Sequence, residues 1–347
     1  MKQLCLSIAL LLVFHYQSFS QTDTVTVIGV GDMMLGSNYP SESYLPPNKG
    51  KDLMKEVNDI LKNATVTFGN LEGTVLNSGG TVKKCSDPSI CYAFRMSEHL
   101  LDNLITAGFD VMSIANNHVG DFGEEGKKNA VKVLKEKGLY YAGLTSCPTV
   151  TFEKEGVKFG LVAFAPNNGT LNINDLPNAI KLVKELEAKV DIVIVSFHGG
   201  AEGAKHQHIT RKTETFYGEN RGNVYDFAHK LIDVGADIVF GHGPHVTRAM
   251  EVYKDRFIAY SLGNFCTYRQ FSLSGVSGLA PIVKVFTDKS GKFFKAQVTP
   301  IIQPAPGGVQ IDGQKRVIEV IRNLMKTDLP EVPMKISNDG MITLGKK

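Results

Sequence analysis

Five short stretches of this chain end an apolar run on residues that can hold a metal ion or move a proton. They are Asp32 in GDMML, Asn70 and Glu72 in GNLEG, Asn117 and His118 in SIANNHVGDFGEEG, His198 in HGGAEG, and His242 with His245 in GHGPHV. A single His or Asp in such a place usually caps a helix or satisfies a neighbour. Five in succession point to a shared site. Carboxylate, amide and imidazole donors together suit divalent ions of intermediate hardness, Mn²⁺, Fe²⁺ or Zn²⁺, one or two in number, and the lack of thiolates argues against a closed structural zinc site.

The elements that must position these residues alternate along the chain. Runs rich in β-branched and apolar residues predict strands at 24–30, 65–69, 111–115, 158–165, 191–197, 238–241 and 256–262, and amphipathic spacing predicts helices at 51–62, 97–108, 126–137, 176–188 and 224–234. This is an α/β pattern. In such layers ligands gather where the chain leaves the carboxyl ends of strands, which is where the polar residues fall. The tail departs from the alternation, with a hairpin at 280–287 and 292–302, the turn-rich QPAPGG and a last helix at 317–325. No repeat or linker divides the chain, so 21–347 reads as one domain.

Composition excludes several function classes. With 347 residues, 43% of them hydrophobic and 21% charged, the chain is ordinary globular material, and a net charge of +3 spread over the whole sequence argues against nucleic acid as a partner. Residues 1–20 carry Lys2, an apolar stretch at 4–14 and small residues at Ser18 and Ser20, the pattern of a signal peptide cleaved before Gln21. Export to the periplasm or beyond is the expectation, with no membrane span left after cleavage. In an oxidising compartment Cys85 and Cys91, flanking the turn-forming SDPSI, are expected to pair, while Cys147 and Cys266 read as small buried hydrophobes.

GDMML, NLEG, IANNHVGDFGEEG, HGGAE, GADIVFGHGPHV and IAYSLGNF follow one another in the order and spacing of the bacterial CapA family of poly-γ-glutamate capsule synthesis proteins, over residues 27–265. That family resembles a branch of the calcineurin-type metallophosphoesterases. The resemblance implies a four-layer α-β-β-α sandwich, with the hairpin and helix added at the C-terminus. It implies Asp32 as a first-strand ligand, Glu72 as the bridging carboxylate, Asn117, His198 and His242 around one metal and His245 on the other, with His118 protonating a leaving group. Two departures stand out. Met34 occupies the place of a ligand His, which puts one of two metal sites in doubt, and Gly199 stands where many relatives carry Trp.

The long polar segment 203–223 adds further candidates. Arg221 between Gly218 and Gly222 reads as an anion clamp for a carboxylate-rich chain or a phosphate, while His206 and His208 read as surface residues. Glu202, four residues after His198, reads either as the group that orients that imidazole or activates water, or as a solvated loop carboxylate. Asn70 and Asn116 are taken as substrate-binding amides. The expectation is a metal-dependent hydrolase of a phosphoester or a γ-peptide bond, acting on an acidic polymer or a phosphorylated small molecule; the alternative is an assembly protein that binds such a polymer without turning it over.

Overall fold

In a computed structural model, residues 24–85 and 91–345 are described, so the expected signal peptide lies outside the described residues. Two sheets dominate. The first runs in the order Met334–Ile336, Met341–Leu344, Phe293–Ile302, Leu279–Thr287, Val25–Met34, Val66–Leu71, Val111–Ser113, Tyr140–Ala142, with Asn264–Thr267 also paired to Val25–Met34. The second runs Met250–Tyr253, Arg256–Ala259, Ile238–His242, Ile192–His198, Val157–Ala165, Thr149–Lys154.

Alternation along Val25–Met34 explains the layering. Val25 and Val27 point into a core shared with Phe159, Ile194 and Phe240 of the second sheet, while Ile28 and Val30 point into a separate core with Leu104 and Leu134. The sheets therefore face each other. The helices Asp102–Ala107 and Gly123–Glu136 cover the outer face of the first sheet, and Leu176–Glu187 and Val224–Ile232 cover the second. This is the α-β-β-α sandwich expected from the sequence. Gly29 lies on the inner face because a Cβ there would meet the Phe240 ring at 2.4 Å, and Phe240 in turn stacks on Phe68 with centroids 5.4 Å apart.

The tail forms the expected hairpin, Leu279–Thr287 against Phe293–Ile302, followed by the helix Arg316–Asp328. One expected helix is mostly absent: of residues 51–62 only Asn58–Leu61 is α-helical. The Leu53 carbonyl accepts from Val309 N, and Val57 N turns to Met54 O instead of reaching back to it. Cys85 and Cys91 are bonded, Cys266 is buried and Cys147 half-buried. Among the described residues no helix is long and apolar enough to cross a membrane.

Candidate metal centre

Strand register assembles the site. Asp32 lies beside Asn70 on one side and Asn264 on the other, and His198 lies beside His242. The close approach that seats Asp32 depends on Gly31, where a Cβ would lie 1.9 Å from the Gly263 carbonyl; the Asp32 N–H donates to that same oxygen at 2.9 Å. His245 follows in the turn after Ile238–His242, with φ of 56°, a left-handed conformation unusual for a side chain of this size.

Ligand atoms of Glu72, His198 and His245 all lie within 4.8 Å of one another. His245 Nδ1 is 3.1 Å from Asp32 Oδ2 and 3.0 Å from Asn264 Oδ1, and its Nε2 is 3.6 Å from Glu72 Oε1. Glu72 Oε1 and Oε2, Asn117 Oδ1 and His198 Nε2 are buried without a hydrogen-bond partner. Such atoms each cost roughly 1–3 kcal/mol when left unpaired. The three on Glu72 and His198 lie in one place with His245 and fit a metal ion, and the donor set is the mixed oxygen and nitrogen type that takes Mn²⁺, Fe²⁺ or Zn²⁺.

Electrostatics of the cluster follow from burial. Burial pushes the Asp32 carboxyl up, but the adjacent His245, with His242 and His198 behind it, outweighs that and holds it below the ordinary carboxylate range. Burial raises Glu72 well above its usual value, helped by the carboxylates of Asp32, Glu202 and Asp121. Burial also drives His198 well below its usual value, which leaves a neutral imidazole able to act as a ligand. His245 goes the other way, to about 10, because the charge of Glu72 and the contact with Asp32 overcome its burial.

The other expected residues are placed differently. His242 has both ring nitrogens engaged, Nε2 at 3.1 Å from the Val30 carbonyl and Nδ1 at 3.3 Å from Ser196 Oγ. Asn70 and Asn116, expected to touch substrate, are fully buried: Asn70 donates to Asp32 Oδ1 at 2.8 Å, and Asn116 donates to the Leu71 carbonyl and accepts from His118 N. They brace the floor of the site. Arg221, expected as an anion clamp, is buried between Glu202, at 2.9 Å, and Glu219, at 2.5 Å, so its charge is already met. Glu202 thus pairs with Arg221 while lining the cleft. Met34 is fully buried in the apolar core and offers that core its thioether.

His118 stands at the edge of the cluster, its Nε2 3.9 Å from Glu72 Oε1 and its Nδ1 2.7 Å from Asp121 Oδ2. The Phe94 ring lies against it, centroids 4.2 Å apart. Sequence reasoning assigned no role to Asp121, although it sits in the same short loop, nor to Lys83, whose Nζ is 2.6 Å from Asp121 Oδ1 and which no motif marks. A cleft of about 310 Å³ opens over these groups, lined by Tyr92, Phe94, His118, Glu202, His245 and Phe271 among others.

The capsule biosynthesis protein CapA of Bacillus anthracis is 28% identical over 265 residues, covering 71% of this chain and 60% of its own length. The PGA biosynthesis protein CapA of Bacillus subtilis (strain 168) is 26% identical over 323 residues, covering 88% of this chain and 78% of its own. Among solved structures, a 5'-nucleotidase precursor from Thermus thermophilus superposes with a TM-score of 0.44 at 13% identity, over 87% of this chain and 58% of that one. The family described as bacterial capsule synthesis protein PGA_cap matches residues 26–269, and the chain belongs to it.

Proposed function

We propose that this chain is an exported, single-domain, metal-dependent hydrolase of capsule biosynthesis that cleaves a phosphoester or the γ-peptide bond of an acidic polymer. The observation that carries the reading is the group of buried donor atoms without partners on Glu72 and His198, with His245 among them and beside a histidine held by a carboxylate. Asp32, Glu72, Asn117, His198 and His245 would hold the metal. When bound, the ion supplies a Lewis acid and an activated water at neutral pH.

The chain's own residues do the following. Asp121 accepts from His118 Nδ1 and so fixes the tautomer whose Nε2 lone pair faces the cluster, where it can take a proton from an attacking water and, as imidazolium, hand that proton to a departing group. Asn70 steadies Asp32, and Asn116 fixes the loop that carries Asn117 and His118. Phe94 and Phe271 line the cleft, their rings against His118 and His245. The polymer as substrate is supported by the names of the two CapA relatives, and export by the Lys2-to-Ser20 pattern. A second reading, a polymer-binding protein without turnover, is favoured by Met34 in the apolar core and by the engaged nitrogens of His242, which leave fewer ligands for a second ion.

Metal analysis of the purified protein with assays on phosphoesters and γ-glutamyl peptides separates the two. Asn117→Ala should lower metal content, whereas His118→Ala should keep it and cut turnover by about 10²- to 10⁴-fold. Wild-type protein that binds γ-glutamate chains and neither retains a divalent ion nor hydrolyses any of these probes would defeat the hydrolase reading.

A further inference from the structure

The two arms of the disulfide loop converge on one buried carboxylate. Lys83, two residues before Cys85, sets its ammonium 2.6 Å from Asp121 Oδ1, and its backbone N–H donates to the Asp121 carbonyl at 2.8 Å. Phe94, three residues after Cys91, donates its N–H to Asp121 Oδ2 at 2.7 Å and lays its ring on His118. His118 Nδ1 reaches that same oxygen, also at 2.7 Å. Between the arms, the Cys85–Cys91 bond holds the two Cα atoms 5.7 Å apart.

We propose that Lys83 and the Cys85–Cys91 disulfide form a brace that orients Asp121, and through it His118, so that the site is complete only in the oxidised protein. Lys83 is a positioning residue in this account, and its part in turnover rests on the hydrolase reading above. Asp121 is fully buried, and a carboxylate out of water keeps its place only when charge and hydrogen bonds meet it from several sides. Of the three groups that meet its side chain, two come from the loop arms: the Lys83 ammonium as an ion pair on Oδ1 and the Phe94 N–H as a hydrogen bond on Oδ2. Reduction frees those arms to separate, and the histidine then loses the partner that fixes its ring plane.

The test compares esters of one acid that differ in leaving group. A nitrophenolate departs without help, whereas an alkoxide needs the proton His118 would deliver. Lys83→Met should slow the alkyl ester about tenfold, in the range of groups that orient a ligand or catalytic side chain, and leave the nitrophenyl ester unchanged. Lys83→Arg should restore the rate. The double variant Cys85→Ser/Cys91→Ser, and wild type under reductant, should repeat the Lys83→Met pattern. Proton NMR gives a readout independent of activity: the His118 Nδ1–H signal, assigned by its loss in His118→Gln, should be sharp in wild type and Lys83→Arg and lost to exchange in the others.

An unchanged signal in Lys83→Met and in the double variant overturns the brace, as does an equal slowing of both esters. If wild type hydrolyses neither ester, the NMR signal alone decides the brace: loss on removing Lys83 supports it, persistence overturns it; the hydrolase reading falls separately, when γ-glutamyl peptides are left intact as well.

Discussion

The floor and the wall of the cleft are both built from buried charged groups, yet they treat those groups in opposite ways. On the floor, both oxygens of Glu72 and His198 Nε2 have no hydrogen-bond partner. In the wall, Glu214 accepts from Ala201 N and from two nitrogens of the fully buried Arg248, whose remaining donors go to the Ala201 and His206 carbonyls. A carboxylate met on all sides within the chain has nothing left to offer a ligand, whereas a cluster of unmet donors can be completed by an ion, and that difference separates the candidate metal centre from the segment that encloses it.

Glu72→Gln tests the floor and should have the largest effect. The variant should lose divalent metal, its affinity falling by more than the roughly 10²-fold typical of supporting residues, as read by metal titration. Its melting temperature in chelator should hold or rise, because the substitution removes a carboxyl that burial already disfavours as an ion. A fall in melting temperature in chelator would mean that the floor is structural after all.

Glu214→Gln is the converse. It strips the charge partner from a buried guanidinium, and breaking such a pair costs about 3–5 kcal/mol. Urea denaturation should show that loss while metal content stays at the wild-type level. Pairing the change with Arg248→Met should recover part of the stability, since the charge left stranded by the single variant is then gone.

A carboxylate at the opposite end of a site strand sharpens the comparison through pH. Asp237, just before Ile238–His242, accepts from Val193 N at 2.8 Å and lies 2.8 Å from Arg256 Nε, yet burial outweighs both and pushes its carboxyl up to about 6. The folded protein therefore binds this proton more tightly than the unfolded chain, whose value is near 3.8. Stability from this group is complete below that lower value and is lost as pH rises through about 6. Two pH units correspond to at most about 3 kcal/mol. Asp237→Asn should flatten the stability profile between those values; a profile that keeps its slope would rule the group out.

Much of this was legible in the chain. Period-two alternation and apolar runs located the central strands, and the same runs put Glu72 and His198 at the strand ends where the structure brings them together with His245. What escaped were features set by distant partners. Whether a helix forms at 51–57 depends on Val309 taking the Leu53 carbonyl, more than two hundred residues away in sequence. The engaged nitrogens of His242 depend on Val30 and Ser196, and the ion pair of Lys83 with Asp121 joins residues far apart in the chain. Local pattern carries none of these contacts, because each is decided by which surfaces the sheets bring together.

Arg221 gives the smallest expected effect and the most direct check on the anion clamp expected from sequence. The guanidinium is buried, but its partners are not: the side chains of Glu202 and Glu219 are 23% and 33% exposed and can turn to water when it is removed. Arg221→Met should therefore cost only about 1 kcal/mol of stability, in contrast with the wall's Glu214–Arg248 pair. With two carboxylates around one guanidinium, the local charge is already negative, so a γ-glutamate oligomer gains nothing from this Arg. Calorimetry should find its affinity improved for Glu202→Gln, which leaves the guanidinium partly free, and unchanged for the double variant Arg221→Met/Glu202→Gln, which keeps the local charge of the wild type. Weaker binding by that double variant would return Arg221 to the role of clamp and make the wall, as well as the floor, a place where substrate replaces a partner of the chain's own.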